Sequence, residues 1–192
     1  MINTFRLFCI CIQHIYIYLA HVSPNSGNEI SHLDKVLDQG NVGGFFKRFI
    51  VLTIMTEVMA FYNLLYYYDK SLSLFEVLFF ILMTCGFVLR MWSYYTLNKL
   101  FTFTLAIKEN HRLVTDGPYK YLIHPSYSGH LLMMYCYILF NGFYWLFPLL
   151  GYYNFKLLLK RTRAEEAMLR EKFGAEYDEF IKGRYRFIPF IY

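Results

Sequence analysis

Apolar residues occur in long runs along this chain, separated by short polar stretches. Five runs stand out, at about residues 2–22, 49–68, 72–91, 127–140 and 143–159. The first three approach the ~20 residues that an α-helix needs to cross a hydrocarbon layer about 30 Å thick. The pattern therefore predicts an all-α polytopic membrane protein with about five transmembrane helices, built as a single membrane domain over residues 1–192.

The last two runs are separated by Asn141 and Gly142, a residue pair suited to a chain reversal. They are short for complete membrane crossings. We expect a helical hairpin. Either tyrosines at the membrane interface compensate for the shortness of its helices, or one of its halves is partly covered by protein.

The first run has two interpretations. Arg6 precedes an apolar stretch and Ala20 could stand near a cleavage site, as in a secretory signal. Gln13 and His14 interrupt the run, and no clean small-x-small site follows. These features favour a transmembrane helix, and the signal peptide stays the alternative.

Lysine and arginine are distributed unequally about the predicted helices. The 23–48 loop, the 90–126 loop and the 156–192 tail lie on one side and carry most of the basic residues. Only Arg6 and Lys70 remain for the other side. Because basic loops stay in the cytosol, this imbalance predicts a cytosolic C-terminus and a cytosolic 90–126 loop.

Composition narrows the function classes. Hydrophobic residues make up 57% of the chain and charged residues 17%, against about 45–50% and about 25% in soluble domains. No nucleic-acid-binding motif accompanies the net charge of +5, so we expect the basic loops to face lipid. The four cysteines lie in apolar segments without a CxxC pair, which predicts neither a metal site nor a disulfide framework.

Glu57 lies in the middle of the second run, where an ionisable side chain is costly. Either it has a functional partner inside the helical bundle, or it is a protonated carboxyl group bonded to a neighbouring helix.

The polar segment over residues 108–129 is the first candidate for chemistry. Asp116, Gly117 and Pro118 are turn formers, and His124 precedes a proline. A structured loop rich in His, Tyr and backbone donors can hold a small polar ligand. The alternative is that His111 and His124 cap helices and that the tyrosines mark the membrane interface.

The second candidate lies in the segment over residues 160–192. Residues 156–172 suit a helix, and Gly174 suits its C-terminal cap. Arg161 and Glu165 are four residues apart, which places them on one face of this helix. Arg before Glu is the weaker order for an intrahelical ion pair, so we expect these charges to have other partners.

In combination these stretches resemble the isoprenylcysteine carboxyl methyltransferase family, membrane enzymes that methylate the C-terminal carboxylate of prenylated proteins. The resemblance rests on an ordered set of motifs with matching gaps. The motifs are Gly86-Phe-Val-Leu-Arg90, His111-Arg-Leu-Val-Thr-Asp-Gly-Pro-Tyr119, His124-Pro-Ser-Tyr-Ser-Gly129, Arg161, Glu165-Glu166, Phe173-Gly174-x-Glu176-Tyr177 and Ile188-Pro189-Phe190-Ile191.

The resemblance implies an enzyme of the endoplasmic reticulum membrane. It would bind S-adenosylmethionine at the cytosolic face and act on the prenylated C-terminal cysteine of CaaX-type proteins. By residue matching, the substrate is held by Arg161. The cofactor contacts are His111, Arg112, Leu113, Val114, Tyr119, His124, Pro125, Ser126, Tyr127 and Glu165.

The chemistry is consistent with this resemblance. The chain has no GxG sequence, so a Rossmann-type methyltransferase is excluded. A carboxylate nucleophile is already ionised at neutral pH, so methyl transfer to it needs neither a general base nor a metal. The protein must instead align the reactants and exclude water.

The chain departs from the family pattern at one position. Many relatives have Arg immediately before His-Pro-Ser-Tyr, where this chain has Ile123. This departure supports a rival hypothesis, an inactive membrane assembly factor. Two enzymes are also rivals: a phospholipid N-methyltransferase and a sterol reductase-like enzyme. The reductase is a rival because the ending over residues 184–192 is similar to the C-terminus of membrane sterol reductases.

Overall fold

A computed structural model describes residues 4–21, 35–36, 51, 54–55, 57–58, 60–62, 65, 71–102, 106–107 and 111–188. Helices dominate these residues: α1 Thr4–His21, α2 Leu74–Leu97, α3 Pro125–Phe140, α4 Phe147–Phe173 and α5 Ala175–Ile181. The described residues between 51 and 65 are also helical. Short 3₁₀ turns cover Asn98–Leu100 and Gly117–Lys120, and the two-residue strands β1 Lys35–Val36 and β2 Ala106–Ile107 pair antiparallel.

The α2 helix is the most apolar helix of the described structure. It starts with a capping box, in which Ser73 and Glu76 exchange side-chain and backbone hydrogen bonds. Among the residues described above, the stretch Leu74–Leu100 alone is a helix long and apolar enough to cross a membrane, with a mean hydropathy of 2.0. The helix α1 is apolar but shorter over Thr4–Leu19. The structure confirms a mostly helical chain, and the number of five spans stays a prediction.

The end of α2 differs from the prediction, which placed it at residue 91. The helix continues to Leu97, so Arg90 lies inside it and not in a loop. Arg90, Ser93 and Tyr94 are buried, and the Tyr94 ring lies 4.0 Å from the Phe101 ring. In a hydropathy pattern, polar residues end an apolar run. Here protein atoms cover these polar residues, so the helix continues past them.

The helices α2 and α3 pack closely around two glycines. A Cβ atom on Gly129 would lie 2.5 Å from the carbonyl oxygen of Gly86, and one on Gly86 would lie 2.8 Å from the carbonyl oxygen of Gly129. Beside this contact, Met83 of α2 and Met133 of α3 form the main apolar cluster together with Ile17 of α1. This packing holds the start of α3 against the end of α2.

The predicted hairpin is present, with changed boundaries. Asn141 and Gly142 form the turn, and Gly142 has φ of 78°. The helix α3 starts at Pro125, so residues 125–127 are its first turn and not part of a loop. The predicted span over 143–159 and the predicted helix over 156–172 are one continuous helix, α4, which ends at Gly174 with φ of 52°, as predicted. A change from apolar to charged residues does not interrupt hydrogen bonding along a helix.

Candidate functional site

A cavity of about 110 Å³ lies where the C-terminal end of α2, the 111–124 segment, the start of α3 and the middle of α4 meet. Its described lining combines apolar and charged side chains. The lining residues are Leu97, Leu100, Phe101, Thr102, Ala106, Ile107, His111, Leu113, Tyr119, Ile123, His124, Ser126, Tyr127, Arg161, Glu165, Met168, Leu169 and Phe180.

Two opposite charges in this cavity share one hydroxyl group. Nε of Arg161 donates to the Tyr127 hydroxyl oxygen at 2.7 Å, and the same hydroxyl donates to Oε2 of Glu165 at 2.9 Å. Arg161 is only 9% exposed. Arg161 and Glu165 are thus joined through Tyr127, a partner on another helix, as the weak order of the two charges suggested.

A second charged group lies behind His124. Nε2 of His124 donates to Oε1 of Glu166 at 3.1 Å. Arg186 donates to both oxygens of the same carboxylate, from Nε at 2.9 Å and from Nη2 at 3.0 Å. Burial raises the pKa of the Glu166 carboxyl, but the hydrogen bonds from His124 and Arg186 outweigh burial and lower this pKa to about 2. Glu166 is therefore ionised throughout the physiological pH range.

The first turn of α3 is held by Arg90 of α2. Nη1 of Arg90 donates to both the carbonyl oxygen and the hydroxyl oxygen of Ser126, each at 3.2 Å. The guanidinium group lies over the Tyr94 ring at 4.8 Å from its centre. The buried contacts of Arg90 therefore set the position of the α3 N-terminus at the cavity.

The conformation of the loop before α3 depends on a glycine. Gly117 has φ of 55°, and a Cβ atom there would lie 2.9 Å from Oγ1 of Thr96 and 3.1 Å from Nε1 of Trp92. The next turn places Tyr119 in the cavity wall, 7% exposed. Burial, followed by the nearby Glu165 charge, raises the pKa of Tyr119 well above its ordinary value, so its hydroxyl is neutral.

The structure brings most of the predicted site residues together. The cavity is lined by His111, Leu113, Tyr119, His124, Ser126, Tyr127, Arg161 and Glu165. Three predicted contacts lie outside this lining: Arg112 is exposed, Val114 is partly buried, and Pro125 is buried in the first turn of α3. The role of each residue in binding stays a prediction.

Sequence reasoning assigned no role to Arg90, Glu166, Arg184 or Arg186. Two of them had a signal, because Arg90 and Glu166 lie within the motifs that carry the family resemblance. The contact of Arg186 with Glu166 had none, since it depends on chain reversals at Gly174 and Gly183, both at positive φ.

The charged and apolar groups that line the cavity suit S-adenosylmethionine. This cofactor has positively charged sulfonium and ammonium groups and ribose hydroxyls, which suit the Glu165 carboxylate. Its adenine ring suits the apolar walls, for example Leu113 and Met168. The cavity is smaller than the roughly 300 Å³ typical of sites for ligands of this size.

The chain is similar in sequence to known proteins. Residues 77–171 match the model of the isoprenylcysteine carboxyl methyltransferase family. The chain is 29% identical over 155 residues to the probable protein-S-isoprenylcysteine O-methyltransferase of Oryza sativa, covering 74% of this chain and 73% of the relative. It is 31% identical over 118 residues to protein-S-isoprenylcysteine O-methyltransferase B of Arabidopsis thaliana, covering 55% of each chain.

A shorter match is to a protein of another kind. The chain is 35% identical over 92 residues to the Delta(14)-sterol reductase of Ascobolus immersus, covering 46% of this chain but 21% of that protein. The family match over residues 77–171 contains α3 and most of α4, including Arg161, Glu165 and Tyr127. On these matches, residues 77–171 of this chain carry the sequence pattern of the isoprenylcysteine carboxyl methyltransferase family.

Proposed function

We propose that this protein transfers the methyl group of S-adenosylmethionine to the C-terminal carboxylate of S-prenylated cysteine in CaaX-type proteins. The products are the methyl ester and S-adenosylhomocysteine. The observation that carries the proposal is the hydrogen-bonded chain from Arg161 through Tyr127 to Glu165 in one cavity. It puts a cation suited to a carboxylate beside an anion suited to a sulfonium compound.

Glu165 holds the cofactor end of the site. When bound, S-adenosylmethionine supplies an electrophilic methyl group on a positively charged sulfur. The Glu165 carboxylate accepts hydrogen bonds from ribose hydroxyls or balances the cofactor charge. The apolar lining of the cavity excludes water around the methyl group, as methyl transfer to an anion requires.

Arg161 holds the substrate end. A guanidinium group can grip a carboxylate through two hydrogen bonds and orient it. The bond from Nε to the Tyr127 hydroxyl fixes the plane of the Arg161 guanidinium group. Since the substrate carboxylate is ionised at neutral pH, the site needs no general base, and its main task is alignment.

The membrane setting suits this substrate. A prenyl chain gains about 0.8 kcal/mol per buried CH₂ group, so its tail stays in lipid while the carboxylate lies at the interface. The apolar α2 helix ends at the cavity at Leu97, and the 3₁₀ turn that follows it brings Leu100 to the cavity. We place the protein in the endoplasmic reticulum membrane, multi-pass, with the cavity and the C-terminus on the cytosolic side.

A methyl-transfer assay tests the proposal. The full-length protein in lipid is given labelled S-adenosylmethionine with N-acetyl farnesylcysteine, and in parallel with phosphatidylethanolamine. We expect labelled ester from the prenylcysteine only. Labelled phospholipid indicates the N-methyltransferase instead, and no transfer to either acceptor supports the inactive assembly factor.

Two substitutions separate the two ends of the site. Arg161→Ala should abolish methylation while binding of S-adenosylhomocysteine stays near that of the unaltered protein. Glu165→Ala should weaken that binding. Arg163→Ala is the matched control, because Arg163 is an exposed cation on the same helix. Turnover retained in Arg161→Ala contradicts the substrate clamp, and unchanged binding in Glu165→Ala removes Glu165 from the cofactor site.

The sterol reductase is the second candidate, favoured by the 35% identity to the Ascobolus immersus protein. It requires a nicotinamide cofactor and has no carboxylate for Arg161 to hold. Incubation with reduced nicotinamide cofactor and a Δ14-sterol should give no reduced product. Sterol reduction without methyl transfer would show that the protein is a sterol reductase and not a methyltransferase.

A further inference from the structure

The C-terminal segment over residues 184–187 is joined to the wall of the cavity by main-chain hydrogen bonds. The amides of Ile123 and His124 donate to the carbonyl oxygens of Tyr185 and Arg186, at 2.8 and 3.2 Å. In return, the Tyr185 amide donates to the carbonyl oxygen of Tyr121 at 3.1 Å. Residues 121–124, which include the two lining residues Ile123 and His124, are thus paired with a segment more than sixty residues later in the sequence.

Side chains reinforce this pairing at both ends. Nε of Arg184 donates to the carbonyl oxygen of Tyr119 at 2.9 Å. At the other end, the Glu166 carboxylate binds the fork of Arg186 and the ring of His124 together. One carboxylate on α4 therefore holds both the C-terminal segment and a side chain of the cavity wall.

The carboxylate of Glu166 is poorly replaced by other groups. Its side chain is 7% exposed and that of His124 is 3% exposed, so water does not replace the contact between these two groups, whereas the Arg186 side chain is 40% exposed. A neutral amide at this position would present N–H groups to one of its donors. Buried donors left without an acceptor cost free energy that the bonded pair does not.

We propose that Glu166 is a positioning residue, which with Arg186 fixes His124 and the 119–124 wall in the geometry that binds the cofactor. The proposal rests on the proposed function, because it concerns the same cavity. It assigns the C-terminal segment a role in cofactor affinity. Neither Glu166 nor Arg186 contacts the cavity itself.

The chain offers a matched control. Nε of Arg170 donates to Oδ1 of Asp178 at 2.9 Å, which joins α4 to α5 by the same kind of ion pair. Both side chains are about half exposed, and neither lines the cavity. Asp178→Asn therefore removes one Arg–carboxylate contact from the same region without altering the His124 wall.

The test uses the full-length protein and the variants Glu166→Gln, Arg186→Lys, Arg186→Gln, Glu166→Gln with Arg186→Gln, and Asp178→Asn. Binding of S-adenosylhomocysteine is measured by calorimetry. Hydrogen exchange of residues 119–127 and 184–187 is measured without ligand. Thermal melting shows that each variant is folded at the assay temperature.

We expect Glu166→Gln to weaken binding about tenfold and to speed exchange in both segments, while Asp178→Asn changes neither. Arg186→Lys keeps the charge but loses the fork, so it should give an intermediate loss. The double variant should bind about as weakly as Glu166→Gln alone, because both substitutions remove the same contact.

Unchanged affinity and exchange in Glu166→Gln overturn the positioning role. Additive losses in the double variant overturn it too, because they indicate two independent effects on stability. Failure of the proposed function looks different: the unaltered protein then does not bind S-adenosylhomocysteine at all, while hydrogen exchange still reports whether Glu166 holds the two segments together.

Discussion

At the scale of single residues, the Tyr127 hydroxyl links Arg161, which we propose holds the substrate, to Glu165, which we propose holds the cofactor. A hydroxyl has one proton, so it donates to Glu165 and must accept from Arg161. Arg161 and Glu165 would otherwise meet directly or rotate apart, since both are long side chains on one face of α4. The hydroxyl lies between the two charged groups and bonds to both, so each of them still lines the cavity.

We predict that Tyr127→Phe lowers the kcat/KM for prenylcysteine methylation by about tenfold to a hundredfold, as expected when buried charged groups lose a hydrogen-bond partner. The ring stays in place, so the fold is kept. The control is Tyr135→Phe on the same helix, whose hydroxyl donates to the carbonyl oxygen of Gly151 at 3.0 Å, away from the cavity. Equal kinetics for the two variants contradict a linking role for Tyr127.

Ile123 gives a second prediction at this scale. Its side chain lines the cavity and is 8% exposed, while its amide is held by Tyr185. An arginine there places another cation at the cavity in which we propose that a carboxylate binds. We predict that Ile123→Arg lowers the Kd of S-adenosylhomocysteine or the KM of prenylcysteine, with Ile123→Leu as the control. If neither constant changes, the departure from the family pattern is neutral.

Only those features of the site that depend on residues close together in the sequence, or on the family resemblance, could be predicted. Arg161 and Glu165 share a helix face by spacing alone, and the resemblance adds His124 and Tyr127. The partner that joins the two charges, and the role of Glu166 behind His124, depend on how α3 and the C-terminal segment meet α4. No periodicity along one helix encodes such a contact.

At the scale of helices, α2 and α3 approach so closely that each needs a glycine at the crossing. A Cβ atom at Gly129 would lie within 2.8 Å of backbone atoms of α2, at the Gly86 oxygen and the Arg90 nitrogen. Backbone atoms cannot rotate away as a flexible side chain can. A substitution therefore has to separate the helices and, with them, the Arg90–Ser126 contact at the cavity.

We predict that Gly129→Ala destabilises the fold by about 1–3 kcal/mol, measured as a loss of thermal stability in detergent. It should also lower methylation activity. The control is Gly151→Ala on α4, where a Cβ atom would lie 3.4 Å from a ring carbon of Tyr135, an ordinary contact. A Gly129→Ala variant as stable as Gly151→Ala is inconsistent with this packing.

The helices themselves were largely predictable, whereas their ends were not. Apolar runs and turn residues such as Asn141 and Gly142 mark where helices form and where the chain reverses. Hydropathy measures compatibility with lipid, so it ends a run at the first polar residues. At Arg90 and Lys160 the helix continues, because Arg90 is buried by protein and the charged half of α4 packs beside the cavity.

At the scale of the whole molecule, the two ends of the helical bundle differ in chemistry. One end carries the cavity. The other holds an ion pair between Arg6 of α1 and Glu76 of α2 at 2.7 Å, near the exposed Trp145 of the α3–α4 turn. The 16 residues of α3 separate these ends by about 24 Å, at 1.5 Å for each helical residue.

This separation and the excess of basic residues near the cavity predict that the two ends lie on opposite sides of the membrane. Single cysteines test it, placed at the exposed positions Thr115 and Trp145 in a chain whose exposed Cys11 and Cys85 are replaced by alanine. In intact microsomes, a membrane-impermeant maleimide should label Thr115→Cys. Trp145→Cys should react only after the membrane is permeabilised, because its side faces the lumen. Labelling of both positions in intact microsomes shows that α3 does not carry the chain across the bilayer, and the reverse pattern places the methyl-transfer site in the lumen, away from cytosolic prenylated proteins.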